Sequence, residues 1–251
     1  NSLLAKSLYF IEKSILKDSN FIITDTETHA KYFATLFKIP LEKFFVVNMS
    51  VDEEIFFPLA TPKEFHFKEP FIIFTYATFL PLHGMMTIAK AANTLKNFPF
   101  KFIIAGGKGK ALREFISYLK LNNVSNVLHI PWIELNELPS YICGSDLCLG
   151  GPFGGTPQAG RLITGKTLQF LACERPTVIG KNSETKYFED RKNCLLVKQN
   201  DHNDLADAIY WASTNRSKLQ KISILGKKTY EQRYSINVIR NQIKTLLKSI
   251  Q

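Results

Sequence analysis

The sequence predicts an α/β fold built on a doubly wound parallel sheet. Three observations carry that expectation. Short β-branched and aromatic runs alternate with helical stretches along the chain, as parallel βαβ units require. Glycine-bearing loops follow several of the strand-like runs, where such a sheet opens to a ligand. The chain has 251 residues, 45% hydrophobic and 22% charged, enough to bury a sizeable core.

Taken in order, FIIT (21–24) and FFVVN (44–48) read as strands bracketing a helix at 27–37. TPKEFHFKEP (61–70), with two prolines and mixed charge, reads as a linker. FIIFTYA (71–77) is the first strand of a second set, followed by a helix over 84–97, KFIIAGG (101–107) and a helix over 109–121. NVLHIP (126–131), a short helix at 134–142 and SDLCLGG (145–151) come next. A glycine-dense loop leads into a helix at 166–173, then PTVIG (176–180) and NCLLV (193–197). Helices at 203–214, 216–232 and 236–249 close the chain. Six strands after residue 70 make one complete doubly wound domain, expected over 71–235. Residues 1–60 hold two strand candidates only, and read as the tail of another α/β domain. The helix within 236–251 is a candidate to pack back on that domain.

Charge points to an anionic partner. Lys+Arg 32 against Asp+Glu 22 gives a net charge of +10, which suits a nucleic acid, an anionic lipid or a phosphorylated substrate. The cations are scattered, with no dominant cluster and no RNA-binding aromatic signature, so no nucleic-acid partner is expected. The uncharged run from Pro70 to Ala89 is interrupted by Pro81, His83 and Gly84, which argues against a membrane span. Residues 1–19 place Leu4, Leu8, Ile11 and Ile15 on one helix face and Lys6, Lys13 and Lys17 elsewhere. That pattern fits an anionic membrane surface or packing on another domain. The four cysteines, at 143, 148, 173 and 194, form no CxxC pair and no Cys/His cluster of zinc spacing, as expected for reduced thiols in the cytoplasm.

The stretch GPFGGTPQAGRLITGKTLQ (151–169) brings Arg161 and Lys166 to the start of an apolar helix. Unpaired N–H groups and the helix dipole already favour an anion there, and two cations suit a diphosphate. AGGKG (105–109) lacks both the GxGxxG spacing and the P-loop pattern. Asp25-Thr26-Glu27 reads as a helix start capped by Thr26 or Asp25, and Asp52-Glu53-Glu54 as a solvated turn.

FTYATFLPLHGMMTIAKAANTL, FIIAGGKG, NVLHIPWIELNELPSYICGSDLCLG, FGGTPQAGRLITGKTLQFLACERPTV and DHNDLADAI occur in this order. Together they resemble the C-terminal half of the GT-B glycosyltransferases of group 1, family 4, in a bacterial branch. Residues 8–57 resemble the end of that family's N-terminal domain. The resemblance implies two Rossmann-like domains, with a nucleotide-sugar donor bound by the second and a glycan or lipid-linked acceptor held mostly by the first. It implies a metal-independent hexosyltransferase with no cofactor, active in building a cell-surface polysaccharide. Such an enzyme is expected in the cytoplasm, or peripherally at the inner face of the membrane.

By position, Pro131, Trp132 and Ile133 would border the base, while Phe153, Gly154 and Thr156 would border the sugar or phosphate. Gln169 would reach the ribose, with Thr167 beside it, and Gly84, Gly107 and Lys108 would line the donor. The family's usual Arg and Lys after the first strand are here Thr78 and His83, and its usual Glu is Gln169. The phosphate duty therefore falls to Arg161 and Lys166. A donor domain that binds a nucleotide without transferring a sugar, or a basic protein on an anionic membrane, are the alternatives.

Overall fold

The computed structural model describes residues 3–66 and 71–250. Its backbone contacts divide the chain into a smaller unit, residues 1–49 with 237–251, and a larger one, residues 50–236.

In the smaller unit, helix α1 (Leu3–Asp18) precedes strand β1 (Ile22–Thr24), helix α2 (Glu27–Phe37) and strand β2 (Phe44–Val46). The two strands pair in parallel, Ile22 opposite Phe44. Thr26 is the cap of α2, accepting from His29 N at 3.1 Å, while Asp25 holds the His29 ring at 2.6 Å. Ala30, Phe37 and Ile39 close a small core over the strands. The terminal helix α9 (Ile236–Ile250) belongs with this unit from residue 237 on. Gln242 exchanges two hydrogen bonds with Asn48, at 2.9 and 3.1 Å.

The larger unit begins about ten residues before the proline-bearing 61–70 segment, of which 67–70 lie outside the described residues. The reason is apolar: Val51 and Phe56 are buried in its core. Asp52-Glu53-Glu54 is more than a solvated turn, because Glu53 Oε1 accepts from Tyr230 Oη at 2.9 Å and from Ile236 N at 3.0 Å.

Strands β3 (Phe71–Ala77), β4 (Phe100–Gly106), β5 (Val127–Ile130), β6 (Leu147–Leu149), β7 (Thr177–Gly180) and β8 (Leu195–Val197) form one parallel sheet. Its order is β5-β4-β3-β6-β7-β8, a doubly wound order in which all six strands run parallel and successive strands switch from one side of β3 to the other at β6. Helices α3 (Met85–Thr94), α4 (Gly109–Leu121), α5 (Leu138–Gly144), α6 (Gly165–Ala172), α7 (His202–Thr214) and α8 (Arg216–Arg233) flank it. The period-2 rule sorts the strand side chains. Phe71 and Ile73 of β3, with Phe102 and Ile104 of β4, enter the core shared with α3, α4 and α7. Ile72 and Phe74, with Ile103 and Ala105, enter the opposite core shared with α5 and α6.

At the switch point the loops after β3 and β6 are pressed backbone to backbone. Gly154 N donates to Leu82 O at 2.9 Å. A Cβ on Gly154 would sit 2.1 Å from Pro81 O, and one on Gly84, at φ +65°, 2.4 Å from the Phe153 carbonyl carbon. No side chain fits at either position.

Candidate functional site

A cavity of about 560 Å3 opens at the carboxyl ends of β3, β4 and β5, against the start of α6. Its walls come from four successive strand-to-helix connections, the placement a doubly wound sheet gives its ligands. Tyr76, Ala77 and Thr78 end β3, and Ala105 to Lys108 end β4. Pro131, Trp132 and Ile133 follow β5, and Thr164, Gly165 and Lys166 open α6. His83, in the short turn before α3, completes the wall beside Lys166. Among the described lining residues there is no Asp or Glu.

The start of α6 is held firmly. Thr164 is its N-cap, accepting from Thr167 N, and its hydroxyl donates to Gly150 O at 2.8 Å. That bond ties the two ends of the long loop after β6. The first amides of α6 have no intrahelical acceptor and carry the positive end of the helix dipole. Lys166 lies there, only 8% exposed. Among the described residues its ammonium has no hydrogen bond or ion pair. Burial lowers its pKa from 10.5 to about 8. It is still charged at pH 7, a buried cation without a counter-ion. His83 is pushed the same way, from 6.5 to about 4, by burial first and by Lys166 second. It is therefore neutral at pH 7, and its Nδ1 is buried without a partner. Lys108 is exposed at the start of α4, where the cavity meets solvent.

The cavity brings together Thr78, His83, Gly107, Lys108, Pro131, Trp132, Ile133 and Lys166 of the residues singled out by sequence. Trp132 stands 70% exposed at the rim, its Nε1 donating to Glu134 Oε1 at 2.9 Å. The other predicted residues do not line it. Phe153 is buried in the core with Leu82 nearby, and Gly84 and Gly154 form the backbone contact between loops. Thr156 turns inward on its own loop, its Oγ1 accepting from Ala159 N at 3.2 Å. Thr167 is fully buried, its hydroxyl 2.8 Å from that of Thr164. Arg161 ends a short 3-10 turn outside the lining. Gln169 also stands outside it, its Oε1 accepting from Tyr76 Oη.

Tyr76 is the residue that sequence reading missed. It shares a strand face with Ile72 and Phe74 and reads as core by period alone, but it sits one residue before the end of β3. A hydroxyl at that end was the available signal. Burial raises its phenol far above the ordinary range, so it acts as a neutral donor to Gln169. Among the described residues, no group of three or more His, Cys, Asp or Glu is placed to hold a metal ion. No helix among them is long and apolar enough to cross a membrane.

The sequence signature of the family described as glycosyl transferases group 1 matches residues 70–215. No curated protein matches the sequence. Among solved structures, sucrose-phosphate synthase from Thermosynechococcus elongatus superposes with a TM-score of 0.79 at 18% identity, over 99% of this chain and 63% of that one. HepE from Anabaena, crystallised with UDP and glucose, gives 0.81 at 14%, over 97% of this chain and 67% of that one. The C-terminal domain of LpcC, a group 1 family protein from Francisella tularensis, gives 0.60 at 17%. That likeness covers 74% of this chain and all of the fragment. The chain thus spans less than two thirds of the synthase, and at these identities the likenesses establish the fold.

Proposed function

The chain belongs to the group 1 glycosyl transferases, and on that premise we propose that its larger unit binds a nucleotide-sugar donor in the cavity beside α6. The observation that carries this reading is Lys166, a buried cation at a helix N-terminus with no counter-ion and no carboxylate in the cavity wall among the described residues. A diphosphate supplies the missing charge. Breaking the glycosyl–phosphate bond leaves a further negative charge on that diphosphate, and preorganised cations and amides stabilise it most as it forms. Lys166 and the first amides of α6 take this role, with Lys108 adding charge at the entrance. Neutral His83 offers a ring nitrogen without adding charge. Arg161 lies on the loop that leads into α6, outside this lining.

Pro131, Trp132 and Ile133 form the wall for the base. UDP in the HepE structure supports a uridine nucleotide as the first candidate. The reaction is hexosyl transfer to a glycan or lipid-linked acceptor, in polysaccharide synthesis and without a metal. Transfer further requires the acceptor to be held close to the anomeric carbon of the bound donor. Calorimetric titration of UDP and of uridine, in the presence of a chelator, tests the reading. UDP binding at least tenfold tighter than uridine supports it; equal or absent binding refutes it.

Helix α1 favours an additional partner. Leu4, Leu8, Ile11 and Ile15 are exposed on it, with Lys6, Lys13 and Lys17 interspersed. We assign this face to an anionic membrane surface at the inner leaflet, which places the enzyme peripherally in the cytoplasm. Flotation with anionic but not zwitterionic vesicles, lost on Leu8→Glu, is the expected outcome.

A further inference from the structure

The terminal helix α9 (Ile236–Ile250), part of the smaller unit from residue 237 on, carries a surface that the donor cavity does not use. Its inner face is fixed by packing. Ile239 and Leu246, two turns apart, are buried, and Gln242 between them bonds Asn48. Two aliphatic side chains lie off that stripe. Ile243 is 42% exposed and Leu247 56%, and at i and i+4 they form one row along the helix.

Beside this row runs a second one, made of cations. Arg240, Lys244 and Lys248 recur at every fourth position, and all three are exposed. Arg240 Nη1 donates to Asn237 Oδ1 at 3.4 Å, a neutral partner. Among the described residues neither Lys244 nor Lys248 has an ion pair. The helix itself, INVIRNQIKTLLKSI, contains no Asp or Glu to compensate them. An aliphatic row and an uncompensated cationic row thus share one exposed shoulder of α9.

That pairing selects the partner. A nucleic acid would meet the cations but offers Ile243 and Leu247 no apolar surface to bury against. An apolar protein groove would bury the two aliphatic side chains and leave the adjacent cations to be desolvated unpaired. An anionic bilayer meets both demands, with acyl chains below and phosphates at the headgroup level. We propose that α9 docks on an anionic lipid surface and lies in its plane. Ile243 and Leu247 enter the acyl boundary, while Arg240, Lys244 and Lys248 reach the lipid phosphates along their flexible stems.

Helix α9 makes this contact with its own residues, independently of α1 and of any ligand in the donor cavity. Each cation near an anionic surface favours binding by roughly fivefold, so the cationic row alone gives roughly a hundredfold preference for anionic over zwitterionic lipid. The aliphatic row adds an affinity that salt does not screen.

The test uses the full chain with vesicles of phosphatidylcholine, alone or with phosphatidylglycerol added. A solvent-sensitive fluorophore on Leu247→Cys reports on α9 directly, because the native cysteines are buried. With anionic vesicles its emission should shift to the blue and be quenched by a lipid-borne quencher; with phosphatidylcholine alone it should not change. Lys244→Gln combined with Lys248→Gln should weaken vesicle binding roughly thirtyfold, whereas arginine at both positions should preserve it. Vesicle binding that leaves the label in water would assign the membrane contact to α1 alone and overturn the role of α9. Failure of the wild-type chain to bind anionic vesicles would overturn both. A label that responds to duplex DNA or to self-association, and not to vesicles, would give the face to that partner instead and equally overturn the proposal.

Discussion

Replacing Lys166 by methionine should stabilise the ligand-free protein and weaken its hold on a nucleoside diphosphate. Methionine keeps most of the side-chain length and removes the charge. The ammonium's pKa falls from 10.5 to about 8 on folding. At 1.36 kcal/mol per unit, keeping it charged costs the fold about 3 kcal/mol at neutral pH. Because the folded-state pKa lies below the unfolded value, the unfolded chain binds the extra proton between pH 8 and 10.5. The penalty is thus full below pH 8 and is relieved as pH rises through that window. Methionine removes it at all pH values, which should raise the melting temperature by several degrees. The loss on the ligand side is a charge-assisted hydrogen bond, about 1.5–3 kcal/mol, so UDP should bind roughly ten- to a hundredfold more weakly. Uridine should bind nearly unchanged. Differential scanning calorimetry at pH 7 and isothermal titration with UDP and uridine read both effects. A lower melting temperature with UDP affinity intact would falsify the view of Lys166 as a cation awaiting an anion.

Three further outcomes are expected. Gly154→Ala drives a Cβ to 2.1 Å from Pro81 O, so it should cost 2 kcal/mol or more by the order of overpacking effects and impair UDP binding through the displaced His83 loop, as denaturant unfolding and titration would show. Trp132→Ala removes an exposed rim residue and should change stability by less than about 0.5 kcal/mol, while uridine binding weakens several-fold. Equal weakening of inorganic pyrophosphate binding would contradict its place at the base. His83 is neutral down to about pH 4, so the unfolded chain gains its proton first as pH falls below 6.5. His83→Phe should therefore lessen the loss of stability between pH 6.5 and 4 in acid melts, and a loss identical to wild type would contradict this.

The fold was largely legible because alternation and caps are local signals. The β3 run FIIFTYA reads as a strand because it is apolar on both faces, and the structure buries both. Asp201, which accepts from Asn203 N and Asp204 N, starts α7 one residue before the point expected. The unit boundary was less legible. Two prolines and mixed charge drew attention to 61–70, whereas burial of Val51 and Phe56 decides where the larger unit begins. The site was legible loop by loop but not side by side. Glycine spacing shows that the loop after β6 must pack closely on something. It does not tell that Phe153, Gly154 and Thr167 face the protein interior while Lys166 faces the cavity. That choice follows from the α6 register, set by the Thr164 cap and its bond to Gly150, a contact across 14 positions. The partnership of Tyr76 with Gln169 spans 93 positions and has no local signature at all.

The most direct test of donor binding at the carboxyl ends of the strands is hydrogen–deuterium exchange with and without saturating UDP. Protection should appear in peptides covering residues 76–83, 105–110, 131–138 and 164–170, the four connections that wall the cavity. Protection confined to the opposite ends of the strands, around 143–146 and 174–176, or none anywhere, would contradict the central claim.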